Sequence, residues 1–109
     1  MSLSVYIKKK EWVNVYDANV THNLTEMASK AGLYEPLWRP EEIFTGDIFA
    51  KDLIPSLERG LQELKSDPNK FKKYNPKNGW GNYEGLVKFT ENYLQACKED
   101  PDGLIEISR

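Results

Sequence analysis

The chain has 109 residues and a net charge of −2, with 39% hydrophobic and 29% charged residues. This length suits one domain, which we take to cover residues 1–109, and the composition is typical of a globular chain rather than a disordered one. The acidic balance argues against nonspecific binding to nucleic acid, which depends on a basic surface. No apolar run approaches the ~20 residues of a transmembrane helix, so no membrane association is predicted.

Cysteine and histidine each occur once, as Cys97 and His22. One cysteine excludes an internal disulfide, and the pair offers too few ligands for zinc. Cys97 lies in the apolar stripe of a predicted helix, which indicates a buried, reduced thiol and a cytoplasmic location. No metal site, cofactor or catalytic residue is predicted.

Alternating β-branched and aromatic residues open the chain and predict a hairpin whose turn is the polar run 8–11. Three hydrophobic pairs, two in the hairpin and one in a C-terminal strand, are expected to face the helices: Val5 and Ile7, Val13 and Val15, Ile105 and Ile107. Three aromatic residues are expected on the opposite face of the sheet: Tyr6, Trp12 and Tyr16.

The first helix is predicted to begin near 21–23, where Asn23 and Glu26 have the spacing of a capping box, and to end at Gly32. The segment 33–47 has no clear period, although Pro40 could open a single helical turn in "RPEE".

A second long helix is predicted over 52–66, with Asp52 as its N-cap and Pro55 in its first turn. A short helix follows, capped by Asp67, and then a loop over 75–82 that is rich in Asn and Gly. The last helix is expected over 83–99, and a final strand over 104–108. These elements predict an α+β fold, in which a three-stranded, mainly antiparallel sheet (the N-terminal hairpin plus the C-terminal strand) packs on three to four helices.

Three short motifs, "THNL", "LWRPEE" and "NGWG", resemble those of a group of small uncharacterised proteins from bacteria and phages. The similarity runs from the second strand to the end of the chain. It implies a bacterial or phage origin and a compact single domain. It implies no activity, cofactor or catalytic residue.

Two loops that precede predicted helices would form the candidate ligand site if they converge, which the sequence leaves open. Helix N-termini offer free backbone donors to anions, an arginine can add a bidentate charge, and a tryptophan can add a stacking face. The candidate ligand-binding residues are Asn19, His22, Asn23, Trp38, Arg39, Asn78 and Trp80.

Each of these residues also has a structural interpretation. Residues 21–23 could simply cap a helix, both tryptophans could close the edge of the core, and Arg39 could pair with Glu41 or Glu42. His22 could act as a general base beside a carboxylate, or serve as a hydrogen-bonded structural residue.

The run 70–80 interleaves lysines with aromatic residues, as single-stranded nucleic-acid grooves do. The alternative is a short amphipathic helix whose lysines face water. The acidic chain as a whole argues against nucleic acid as a partner.

The aromatic face of Tyr6, Trp12 and Tyr16 is the candidate interface, because a sheet covered on one side leaves the other side open. The alternative is that segment 33–47 folds over these rings. The sequence therefore favours a non-enzymatic protein-interaction domain, whose partner would be another protein or a second copy of the chain. A small anionic-ligand binder or enzyme built on His22, Arg39 and Trp80 is the first alternative, and a nucleic-acid accessory protein is the second.

Overall fold

The computed structural model describes residues 1–9 and 13–109 and has an α+β fold, as predicted from the sequence. The strands are β1 (Ser2–Lys9), β2 (Val13–Thr21) and β3 (Leu104–Ser108). The α-helices are α1 (Thr25–Lys30), α2 (Tyr34–Trp38), α3 (Ala50–Ser66), α4 (Pro68–Lys72) and α5 (Tyr83–Glu99). Two 3-10 turns, His22–Leu24 and Pro40–Glu42, complete the described elements.

The sheet has the order β2-β1-β3, and both pairings are antiparallel. The C-terminal strand therefore lies beside the N-terminal hairpin, as predicted. Leu3, Val5 and Ile7 of the central strand are fully buried, because they face the helices that cover one side of the sheet. Ile105 of β3 is also buried on that side, and Ile107 packs partly against the same core.

The prediction that Val13 and Val15 lie in the core while Tyr16 faces outward is wrong. Val13 and Val15 are 57% and 41% exposed, whereas Tyr16 packs against the core on the helix side. The strand runs to Thr21, beyond the alternating pattern of residues 13–16, and Val20 near its end is buried. Ile7 pairs with Tyr16 but Lys8 pairs with Asn14, so a β-bulge inserts Val15. Because of this extra residue, Val13 pairs with Lys9 and shares the face of Ile7, although it is exposed there.

Helices α3 and α5 form the main layer against the sheet, and α5 has the predicted bounds. Leu53, Leu57 and Leu64 of α3 are fully buried. Gly60 of the same helix allows close packing, since a Cβ there would overlap the side chain of Leu33.

The start of α3 differs from the prediction. Asp52 is not the N-cap; it lies at the third helical position and accepts a hydrogen bond from the backbone N–H of Phe49 at 2.9 Å. Pro55 consequently falls in the second turn. The N–H groups of Ala50 and Lys51 donate to carbonyl oxygens of the turn before β3, so the chain's last segment satisfies donors that a helix start leaves free.

Segment 33–47 contains a helix that its sequence did not indicate, α2, followed by the predicted turn that opens at Pro40. Helix α1 ends at Lys30, shortly before Gly32, which has a φ of 77°, and the Leu33 N–H donates to the Ala28 carbonyl at 2.8 Å. The predicted capping box is not formed; instead the Thr21 side chain accepts from the Asn23 N–H at 3.2 Å.

Within residues 1–9 and 13–109, none of the helices has the length and apolarity needed to cross a membrane.

Candidate functional site

His22 and Trp38 form a direct pair. The indole Nε1–H of Trp38 donates to His22 Nδ1 at 2.8 Å, and Trp38 is only 2% exposed. The Tyr34 ring stacks on the indole at 6.1 Å and 12°. A buried indole N–H requires an acceptor, and His22 Nδ1 is that acceptor. The lone pair of Nδ1 is therefore already used, and a neutral histidine has no second one for a general base.

Arg39 belongs to a surface ion-pair network. Its Nη1 lies 3.9 Å from a carboxylate oxygen of Glu41, which agrees with the structural interpretation of this arginine. Arg109 Nη1 donates to the same oxygen at 2.8 Å and to the Trp38 carbonyl at 2.7 Å. The pKa of Glu41 is lowered, first by a hydrogen bond from its own backbone and then by Arg109. These exposed pairs stabilise the fold little.

Trp80 has a fixed backbone and a free side chain. Its N–H donates to Asn78 Oδ1 at 3.0 Å, and its carbonyl accepts from Asn23 Nδ2 at 3.3 Å. Gly79 and Gly81 flank it with φ values of 79° and 99°, which other residues rarely adopt. The indole is nevertheless 72% exposed. The loop therefore presents a large aromatic ring to solvent from a constrained backbone.

The Trp80 loop is held against the start of the first helical turn. A Cβ at Gly81 would lie 2.7 Å from Thr21 Cγ2 and 3.1 Å from Leu24 Cγ, so only glycine fits there. Beside this contact, Thr21, Asn23 and Trp80 line an open hollow of about 390 Å³ together with residues 1–2.

The candidate ligand residues thus fall into two groups that meet at the neighbours His22 and Asn23. Asn23, Asn78 and Trp80 come together, and His22 pairs with Trp38, whose chain neighbour Arg39 pairs with Glu41. Arg39 does not line the hollow beside Trp80. Asn19 is separate from both: its Nδ2 donates to the hydroxyls of Ser2 and Ser4 at 2.8 and 3.0 Å across β1 and β2.

A second cleft of about 450 Å³ lies where the end of α1 meets α2 and α3. Its charged lining residues are Lys30, Glu35, Arg59 and Glu63, and Pro36 and Ile43 are apolar. The sequence did not indicate it, because its walls come from separate segments that share no motif. Opposite charges line it in equal number, so it has no strong preference for an anion.

The predicted aromatic interface is not a three-ring patch. Tyr16 stacks on the buried ring of Tyr93 at 6.1 Å and 11°, so it is a core residue and its predicted outward position is wrong. Tyr6 does lie on the open face, where Asp17 and Glu106 are its pairing neighbours. Trp12 falls outside the described residues. Around Tyr6, the described part of this face is polar.

The lysine-rich run begins in the short helix α4, which is amphipathic. Phe71 is fully buried, Lys72 pairs with Glu84 at 3.4 Å, and Lys70 lies 4.0 Å from Glu63. A stacking groove for single-stranded nucleic acid would need several exposed rings between unpaired cations, whereas Trp80 is the one strongly exposed ring of the run 70–80.

The remaining reactive group is Cys97, which is buried in α5. Burial raises the pKa of its thiol to about 12, so the thiolate that a nucleophilic cysteine needs is not formed near neutral pH. In the described part of the chain, no three or more His, Cys, Asp or Glu side chains are grouped to hold a metal ion.

Comparison with family models, with curated proteins and with solved structures returned no match to this chain.

Proposed function

We propose that this chain is a non-enzymatic protein-interaction domain that inserts Trp80 into an apolar pocket on a partner protein. The observation that carries the proposal is an indole 72% exposed on a backbone hydrogen-bonded at both its N–H and its carbonyl. The proposed interface is therefore the loop 75–82 and not the face of Tyr6, Trp12 and Tyr16 that the sequence predicted.

Two physical arguments favour recognition as the role of Trp80. Leaving a large apolar ring in water forgoes the free energy that burying it would supply, and the ring contributes little to the fold. A backbone already fixed before binding also reduces the entropy lost on association. Tryptophans placed in this way are the residues that most often dominate the energy of a protein interface.

The one histidine and the one cysteine of the chain support the non-enzymatic part. His22 uses Nδ1 to accept from Trp38, and Cys97 is held as a neutral thiol. A catalytic base or nucleophile needs a free lone pair or a lowered pKa at a site that substrate can reach.

The anionic-ligand alternative has less support, because Arg39 lies with Glu41 and not in the hollow lined by Asn23 and Trp80. The nucleic-acid alternative is weaker again, since Phe71 is buried and two of the lysines lie near carboxylates. A bacterial or phage origin and a cytoplasmic location belong to the same proposal, and they rest on the sequence motifs and on the reduced Cys97.

Photo-crosslinking identifies the partner. A photoreactive amino acid at position 80 should capture one protein in extracts of the source cells, whereas the same group at Lys88, exposed on α5, should not. The captured protein is then purified and its dissociation constant is measured with the wild-type chain and with Trp80→Ala. A hot-spot role predicts a loss of roughly 30-fold or more.

Two outcomes would contradict the proposal. The first is a captured protein that binds Trp80→Ala as tightly as it binds the wild-type chain. The second is a thermal shift with phosphate or a nucleotide that Arg39→Ala abolishes, which would instead support the anionic-ligand alternative.

A further inference from the structure

We infer that the free edge of β2 pairs antiparallel with the β2 edge of a second copy of this chain, about a two-fold axis at Ala18. The result is one continuous sheet across two protomers. This inference goes beyond the role of Trp80 and stands on β2 alone.

The two edges of the sheet are treated differently. At the β3 edge, the Ile105 N–H donates to the Ile48 carbonyl at 2.8 Å, and Phe49 forms a β-bridge with Leu104. The segment just before α3 therefore covers that edge. Within residues 1–9 and 13–109, the backbone of β2 has no hydrogen bond to any segment other than β1. Its outer N–H and C=O groups are available to another strand.

Strand β2 also lacks most of the features that keep an edge from pairing. Its nine residues "VNVYDANVT" contain one charge, Asp17, with no lysine and no proline. The bulge at Val15 distorts the end near the hairpin turn, but residues 16–21 keep a regular register against β1. Val13 and Val15 add exposed apolar surface beside this regular stretch.

Parity and charge choose the register. Two residues that oppose each other across paired strands place their side chains on the same face of the sheet. Because side chains alternate between faces along a strand, the two-fold axis must lie at a residue and not between two residues. An axis at Asp17 would oppose two carboxylates, which is unfavourable. An axis at Ala18 places each Asp17 opposite the uncharged Asn19 of the second copy. Within the regular stretch 16–21, an axis at Ala18 pairs residues 16–20 and an axis at Asn19 pairs residues 17–21, so the side chains on the helix side decide between them.

The same register suits the helix side of the sheet. Ala18, which is small, opposes itself at the axis, and Tyr16 opposes Val20 of the second copy. An aromatic residue opposite a β-branched one is a favourable cross-strand pair. Both side chains already pack against the core of their own protomer, so the dimer would extend a layer that exists.

Sedimentation equilibrium over about 1–500 µM tests the inference, with circular dichroism to verify that each variant is folded. The wild-type chain should show a monomer–dimer equilibrium. Asn19→Asp should raise the dissociation constant roughly tenfold, because two like-charged pairs then oppose across the axis. Asn19→Lys should lower it by roughly the same factor, by opposing Asp17 with a cation.

The double variant Asp17→Asn with Asn19→Asp is the matched control. Like Asn19→Asp, it loses the hydrogen bonds from the Asn19 amide to Ser2 and Ser4. Each pair of positions 17 and 19 across the axis again carries one negative charge, so it should dimerise like the wild-type chain. The inference would be overturned if the wild-type chain stayed monomeric at every concentration, or if Asn19→Asp and Asn19→Lys left the dissociation constant of the dimer unchanged. Trp80→Ala, run in parallel, should leave the dimer unchanged. If it alone disrupts the dimer, self-association runs through Trp80 and the β2 inference fails while the proposed function stands.

Discussion

Trp38 and Trp80 contact adjacent residues, His22 and Asn23, yet the fold uses them in opposite ways. Trp38 is 2% exposed and its indole N–H is hydrogen-bonded, whereas Trp80 is 72% exposed and the groups that are hydrogen-bonded belong to its backbone. In the first case the side chain is what stabilises the protein. In the second the protein holds a loop in shape around a side chain that it does not bury.

The largest effect should come from Trp38→Ala, which removes a buried indole from the core. We expect it to lower the free energy of unfolding by about 3–5 kcal/mol, measured by urea denaturation. A loss below about 1 kcal/mol would show that Trp38 contributes no more than a surface residue, and the comparison would fail.

Next in size is Gly81→Ala, which tests whether the Trp80 loop is constrained. The new methyl group would meet Thr21, and the φ of 99° would be strained, so we expect a loss of about 2–3 kcal/mol. Gly79→Ala is the matched control, because its φ of 79° is also positive but its Cβ would meet no atom within 4 Å. It should cost only about 1 kcal/mol in urea denaturation. Equal losses would mean that the contact with Thr21 does not hold the loop.

A smaller effect is expected from His22→Ala, which leaves the Trp38 N–H without its acceptor. We expect a loss of about 1 kcal/mol, at the low end for an unsatisfied donor, because half-buried His22 leaves room for water. A double-mutant cycle with Trp38→Phe isolates the hydrogen bond, and the effect of His22→Ala should vanish in the Trp38→Phe background. His22→Asn, which keeps an acceptor oxygen, should recover part of the loss. Additive single changes would argue that the bond contributes nothing.

The smallest effect on stability should come from Trp80→Ala, within about 0.5 kcal/mol of the wild-type chain. In a Trp12→Phe background, acrylamide should quench the fluorescence of Trp80 readily. Adding Trp80→Phe should remove most of the quenchable signal, and adding Trp38→Phe should not. Marked destabilisation by Trp80→Ala would show that the exposed ring supports the fold.

Much of the fold could be predicted because its signals are local. Helix α5 follows from helical spacing between Asn82, whose side chain accepts from the Gly85 N–H, and the turn after Glu99. The facing of β2 could not be predicted, since it depends on which of its residues pairs with the buried Ile7, and that residue is Tyr16. The start of α3 was misplaced for a similar reason. Its first N–H groups are satisfied by carbonyls about 50 residues further along the chain.

The candidate site was predictable in its residues more than in their roles. The loops were visible as clusters of Asn and Gly, but the sequence left open whether they converge, and the contact between Asn23 and Trp80 comes from the structure. The sequence could not predict which of Trp38 and Trp80 would be buried, because both lie in irregular segments with no periodic pattern. Burial there depends on distant partners, such as Tyr34 stacking on Trp38.

The place of β1 between β2 and β3 bears on how the protein responds to mechanical force. Ser4 pairs with Ser108 and Lys8 with Leu104, so the two ends of the described chain leave the sheet side by side. Tension between those ends would load the outermost pair first and open the strands one pair at a time, as a zipper opens. The domain should therefore yield at low force when it is pulled from its ends, whatever its stability in denaturant.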